Sequence, residues 1–241
     1  MPDASISPAQ IMPVCEKCGY VLTGLNSESR CPECGTLIAE SSPELRQPPP
    51  WEVPGEAPFR GFIRTSAAII FHPTRFFRAL PSRANPRLAR DFGLIQYAIA
   101  SLLFGIATAA HASWLLLIYN WPWRSIYLAG LGLAIVLFVL LNLVTALAAR
   151  LTNWEATYRG MRLPLPVVER GLHYHSAHYI PVALLACLTT VGYAISVSRG
   201  WISESHDTIY LYVLCGEVVL AAAYLFYTYW IAMRNLMFAN R

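Results

Sequence analysis

The residues with the most specific chemistry stand near the start of the chain, in Cys15-Glu16-Lys17-Cys18-Gly19 and Cys31-Pro32-Glu33-Cys34-Gly35. Two C-x-x-C pairs, each followed by glycine and separated by twelve residues, have the spacing of a four-thiolate ribbon, in which each pair of sulfurs reaches one tetrahedral ion. The glycine behind each pair permits the tight backbone bend that the sulfurs require. The pattern predicts one structural Zn2+ per chain, held by Cys15, Cys18, Cys31 and Cys34. Four protein ligands leave no coordination position for water, so the expected role is a folding staple and not a catalyst. Cys187 and Cys215 lie inside apolar runs and read as small buried hydrophobes.

Other chemistry-bearing residues are sparse. Glu217 is the one acid inside a long apolar run, and an intramembrane carboxyl calls for a partner. His111 is expected at matching depth and is its candidate partner. His173, His175 and His178 crowd one short segment preceded by Glu169 and could bind zinc or copper. The alternative reading places their rings, with Tyr174, at the headgroup level of a bilayer. No phosphate loop, G-x-S-x-G, H-E-x-x-H or paired carboxylates accompany them, so no catalytic or cofactor-binding residue is assigned and an enzyme is not expected.

The elements that position these residues follow from composition. Of 241 residues, 56% are hydrophobic and 13% charged, and the mean hydropathy is +0.43, too apolar for an ordinary soluble domain. Phe92 to Tyr119, Ser125 to Ala149, Tyr179 to Ser198 and Thr208 to Met233 each reach the roughly 20 residues that cross a bilayer as a helix. Met1 to Val14 has neither a basic start nor an apolar run, so the first span is expected to direct insertion. The predicted fold is an α-helical membrane protein with four transmembrane helices and interfacial helices, preceded by a small β zinc ribbon.

Arginines set the expected orientation. Seven from Arg60 to Arg90, four from Arg150 to Arg170, and Arg234 and Arg241 fall on one side, against Arg124 and Arg199 on the other. Positive charge concentrates in cytoplasmic loops, which places both termini and the central loop in the cytoplasm, where thiols stay reduced and hold metal. The net charge of +4 is thus a topology signal. Glu16, Glu28 and Glu33 against Lys17 and Arg30 leave the ribbon slightly acidic, which argues against nucleic acid as a partner.

The expected organisation is a disordered tail (1–14), the ribbon (15–38), a proline-rich linker (39–58), an amphipathic interfacial segment (59–90) and the transmembrane domain (91–241) with a cytoplasmic loop (150–178). Pro43, Pro48, Pro49, Pro50, Pro54 and Pro58 favour an extended spacer with a candidate polyproline ligand at Pro48-Pro49-Pro50-Trp51. Pro73 should start a second short helix after the one that carries Phe59 to Phe71. In the first span, Ser101, Gly105, Ala109 and Ser113 form a ladder of small residues that lets another helix approach closely. Gln96 and Asn142, near the cytoplasmic ends of the first two spans, are candidate partners.

Two resemblances add to this. Cys15-x-x-Cys18-Gly19-Tyr20-Val21-Leu22-Thr23-Gly24-Leu25 with Arg30-Cys31-Pro32-Glu33-Cys34-Gly35 resembles zinc ribbons that begin uncharacterised bacterial membrane proteins. The likeness implies a multi-pass protein of the bacterial cytoplasmic membrane. Phe71-His72-Pro73-Thr74-Arg75-Phe76-Phe77-Arg78-Ala79-Leu80, followed by a helical domain whose second half opens with Tyr179-Ile180-Pro181, resembles the Yip family of multi-pass proteins. That family commonly has five spans, where four are read here, and its eukaryotic members associate with Rab-type GTPases on vesicle membranes. The expected function is a non-enzymatic adaptor or membrane-organising protein whose cytoplasmic zinc ribbon binds protein partners. The alternative is a small ion- or proton-coupled transporter using Glu217 and His111. A membrane enzyme using the histidine cluster is a third reading.

Overall fold

The computed structural model describes residues 13–42, 46–81, 85–119, 123–161, 163–202 and 207–240. Residues 1–12 of the expected tail (1–14), together with Pro43, Arg83, Arg162 and Arg241, lie outside them. Seven α-helices occur among the described residues: α1 (Pro58–Phe71), α2 (Pro73–Ala79), α3 (Pro86–Tyr119), α4 (Trp123–Tyr158), α5 (Leu165–His175), α6 (Tyr179–Ser198) and α7 (Asp207–Leu236). Short 3-10 turns stand at Ile38–Ser41, Pro50–Glu52 and Ser176–His178. Two isolated antiparallel bridges, Val14 with Val21 and Arg30 with Leu37, are the only β pairing among these residues. There is no sheet among them, so the cysteine module consists of bridged turns.

The chain divides into two compact units. The first comprises 1–86, 149–171 and 231–241. Within it, α1 follows from its pattern: Phe62, Thr65, Ser66 and Ile69 recur at helical spacing and are buried, whereas Phe59, Ile63 and Phe71 are exposed. The buried face packs on the proline-rich segment. A Cβ on Gly61 would lie 2.9 Å from the Pro50 carbonyl oxygen, the Trp51 N–H donates to Thr65 Oγ1 at 3.0 Å, and the Trp51 and Phe62 rings meet edge-on at 6.0 Å. His72 leaves the helical region because a residue before proline disfavours it, and Pro73 then opens α2 as expected. Arg170 and Glu52 form an ion pair at 2.7 Å with side chains only 2% and 4% exposed. Gly171 lets α5 approach the end of α7 so closely that a Cβ would stand 2.6 Å from Leu236 Cδ1.

The second unit comprises 87–148 and 172–230. Its packing depends on the small-residue ladder of α3. A Cβ on Gly105 would fall 2.7 Å from the Gly130 carbonyl oxygen, and one on Gly130 would fall 2.7 Å from the Gly105 oxygen, so α3 and α4 touch backbone to backbone. Tyr97 OH and Thr145 Oγ1 pair at 2.8 Å further along the same two helices. Asn142 donates to Phe138 O of its own helix at 2.8 Å.

Among the described residues, four helical runs are long and apolar enough to cross a membrane: Pro86–Ser113, Arg124–Tyr158, Leu165–Ser198 and Thr208–Leu236. Leu131, Ile135, Leu143 and Leu147 of α4 and Val218, Val219 and Leu220 of α7 are each more than half exposed. Such an outward apolar belt suits hydrocarbon as solvent and marks a multi-pass membrane protein. Most of 150–178 is helical, because α4 continues to Tyr158 and α5 with the Ser176–His178 turn leads directly into α6.

Candidate metal centre

Each cysteine pair sits on a tight turn of the same construction. In the first, Gly19 N–H donates to Cys15 O and Cys15 N–H to Tyr20 O, both at 2.8 Å. In the second, Gly35 N–H donates to Cys31 O at 2.9 Å and Cys31 N–H to Thr36 O at 2.8 Å. Gly19 and Gly35 take φ of 81° and 70°, the left-handed region that a side chain would strain. The Val14–Val21 and Arg30–Leu37 bridges close the two turns.

These turns bring four sulfurs together. Cys15 and Cys34 Sγ lie 3.5 Å apart, Cys18 and Cys31 Sγ 3.6 Å apart, and all four fall within 4.8 Å of one another. A tetrahedral ion with sulfurs at ~2.3 Å needs edges of ~3.8 Å, so the quartet is assembled at the right scale to hold a metal ion. Cys15 and Cys31 are buried with Leu22, and Cys34 and Ile38 pack against them. Hydrogen bonding with Thr36, through its side chain and its backbone, holds the Cys34 thiol down at about 6, whereas desolvation pushes Cys18 up to about 12.

Residues far away in sequence lock the module in place. Asn240 Nδ2 donates to Val14 O at 2.7 Å and to Ser41 O at 2.6 Å, and Val14 N–H donates to Asn240 Oδ1 at 3.0 Å. Glu16 Oε1 accepts from Asn240 N–H at 2.9 Å, and the Glu16 carboxylate receives Arg46 through Nε at 3.0 Å and Nη2 at 2.8 Å. Arg46 Nη1 also donates to Leu80 O at 2.7 Å. A Cβ on Gly19 would stand 2.7 Å from the Phe238 ring, so the C-terminal segment covers the back of the first turn. Sequence reasoning missed Asn240, Arg46 and Phe238. The one sequence signal for Arg46 was a lone cation in a stretch dominated by proline and acids.

The other candidates assemble differently. Among the described residues, the cysteine quartet is the one group of three or more metal-type side chains whose ligand atoms converge. His175 and His178 are buried: His175 Nε2 pairs with Thr228 Oγ1 at 2.9 Å and His178 Nδ1 with Tyr224 OH at 2.7 Å. Their rings therefore pack onto α7. His173 lies against Gly93, where a Cβ would come within 2.8 Å of its Nδ1. Glu217 and His111 do not pair, since Glu217 Oε1 accepts from Thr189 Oγ1, while His111 Nδ1 pairs with Tyr210 OH at 2.8 Å. Cys187 is buried as expected, but Cys215 is exposed on the outer surface of α7.

Compared with family models, curated proteins and solved structures, the chain matches none. Its function must be read from its own residues.

Proposed function

We propose that Cys15, Cys18, Cys31 and Cys34 hold one structural Zn2+ in a ribbon-like module, and that the protein is a non-enzymatic adaptor of the cytoplasmic membrane. The observation that carries this reading is the convergence of the four sulfurs within 4.8 Å. An all-thiolate, closed set of this kind selects zinc or iron, and zinc is the usual occupant of a four-cysteine staple. Its cross-link does the work that a sheet ladder would otherwise do, holding together two turns that share no strand pairing.

The arginine asymmetry puts both termini in the cytoplasm, the compartment that keeps four thiols available for metal. Exposed Phe59 and Phe71 of α1, with Arg60 and Arg64 of the same helix and Arg75 of α2, suit the inner headgroup layer. The metal module then presents Tyr20, Val21 and Leu25, all partly exposed, to a protein partner. The Yip-like features, Phe71 to Leu80 and Tyr179-Ile180-Pro181, accord with a membrane-organising role.

Metal analysis of the purified chain should give about one zinc, strongly reduced in Cys15→Ser and Cys34→Ser and kept in Cys187→Ser and Cys215→Ser. Equal zinc in all four variants would overturn the metal assignment. Thiol labelling of a cysteine introduced at Ser27 should occur only from the cytoplasmic side, and one at Ser203, which lies outside the described residues, only from the opposite side. For the adaptor role, proximity labelling in intact membranes should recover protein neighbours that Cys31→Ser loses while remaining inserted.

A further inference from the structure

A polar cavity of about 300 Å³ opens in the first unit, beside the cysteine turns. Its cations come from separate elements: Lys17 stands between Cys15 and Cys18, Arg78 on α2, and Arg234 in the last turn of α7. Two acids, Glu16 and Glu40, and the Ser41 hydroxyl line it as well.

Both acids are already matched. Glu16 receives Arg46 through two nitrogens and the Asn240 N–H, and Glu40 pairs with Arg78 at 3.0 Å. Lys17 and Arg234 have no ion-pair partner among the described residues. Zinc held by four thiolates carries net negative charge, which Lys17 offsets from within the first turn, so Arg234 is the cation least committed elsewhere. Ser41 is 5% exposed, and its hydroxyl accepts from Glu16 N–H at 3.1 Å. The hydroxyl hydrogen has no acceptor among the described residues. The cavity therefore offers donors and positive charge that its own acids do not use.

We propose that this cavity binds the phosphate group of an anionic ester, with Arg234 as its main contact, Lys17 beside it and the Ser41 hydroxyl donating to a phosphate oxygen. Phosphate joins negative charge to several acceptor oxygens, and the arginine fork meets two of them at once. A neutral apolar ligand would leave the same donors unanswered, and an attached ammonium would bring a further cation against Lys17 and Arg234. The phosphate has two sources, an anionic phospholipid headgroup or a soluble ester. Arg234 favours neither by itself, since it ends a run apolar enough to cross a membrane and is also exposed.

The test uses the full-length protein in a nonionic detergent, with short-chain phosphatidylglycerol, short-chain phosphatidylcholine and glycerol 3-phosphate as probes. Native mass spectrometry should show phosphatidylglycerol retained about tenfold better than phosphatidylcholine, the effect of one charge-assisted hydrogen bond. Arg234→Gln should bring that ratio close to one, and Lys17→Gln and Ser41→Ala should each lower it severalfold. Arg199→Gln, which removes a cation elsewhere, should leave it unchanged. An unchanged unfolding temperature without probe shows that each variant is folded. Displacement of the lipid by excess glycerol 3-phosphate but not by succinate supports the site and assigns a soluble ester as sufficient, whereas retention of phosphatidylglycerol against both supports it and assigns the lipid headgroup. Equal retention of the two lipids, a wild-type ratio in folded Arg234→Gln, an equal loss in Arg199→Gln, or equal displacement by succinate and glycerol 3-phosphate would each overturn the proposal.

Discussion

Asn240 and Val14, 226 residues apart, share a two-way hydrogen-bonded pair in which the Asn240 amide donates to Val14 O at 2.7 Å and accepts from Val14 N–H at 3.0 Å. The asparagine does for Val14 what a neighbouring strand would do, satisfying both backbone groups of a buried residue next to the first cysteine. The metal module and the end of the chain are therefore one folding unit.

Asn240→Ala should lower the stability of that unit by about 1 to 3 kcal/mol, because Val14 N–H, Val14 O and Ser41 O all lose a buried partner. The expected readout is faster transfer of zinc to a chromogenic chelator, with the four cysteines untouched. Asn240→Asp keeps the acceptor for Val14 N–H but loses the amide that donates to two carbonyls, so it should not restore the wild-type rate.

Much of this architecture was legible in the sequence because it rests on short-range patterns. The C-x-x-C-G spacing announced the converging sulfurs, apolar run length announced the four spans, and Pro73 announced the start of α2. The small-residue ladder correctly identified a packing face, which Gly105 and Gly130 form. What remained hidden depends on side chains brought together from distant elements. Nothing local marks Asn240 or Phe238 as parts of the cysteine module, and Arg46 stands out only as a lone cation among prolines and acids. The packing of His175 and His178 onto α7 was hidden because the hydroxyls that receive them, Thr228 and Tyr224, lie about fifty residues further along the chain. Similar depth suggested a Glu217–His111 pair, but depth fixes height in the bilayer and says little about which way a helix face points, and Thr189 and Tyr210 take those roles.

Acid should strip the metal. Thiolates bind zinc and thiols do not, so occupancy should be complete at neutral pH and fall as pH drops, with protons taken up as metal leaves. Cys18, pushed up to about 12, is protonated at pH 7 and must release its proton on loading, whereas Cys34, held at about 6, is already largely thiolate. Zinc added to metal-free protein in weak buffer at pH 7 should therefore release fewer than four protons per ion. Thr36→Val, which deletes the hydroxyl beside Cys34 Sγ, should increase that release.

The Arg170–Glu52 pair tests the packing of the proline-rich segment. Both side chains are almost fully buried, so removing one partner takes from the other the opposite charge that it meets at 2.7 Å. Arg170→Met should cost about 3 to 5 kcal/mol, whereas pairing it with Glu52→Gln should recover a large part of the loss. Thermal unfolding of the two single variants and the double variant measures the coupling. Equal, additive effects of the two changes would show that the ion pair contributes nothing beyond its separate members.

Within the membrane spans, two glycines of the same helix give opposite expectations. A Cβ at Gly130 would stand 2.7 Å from the Gly105 carbonyl oxygen and 3.1 Å from Ala109 Cβ, whereas one at Gly132 would meet nothing within 4 Å. The obstacle at Gly130 is mainly backbone, which can yield only if α3 and α4 move apart, and van der Waals packing of small residues is what holds helices together in lipid. Gly130→Val should therefore destabilise the helical unit and lower its unfolding temperature, while Gly132→Val should be neutral or mildly stabilising as a glycine leaves a helix interior. Gly105→Ala should share the Gly130 phenotype, because the clash is reciprocal. If Gly130→Val and Gly132→Val unfold at the same temperature, the close α3–α4 contact is not what holds these helices together.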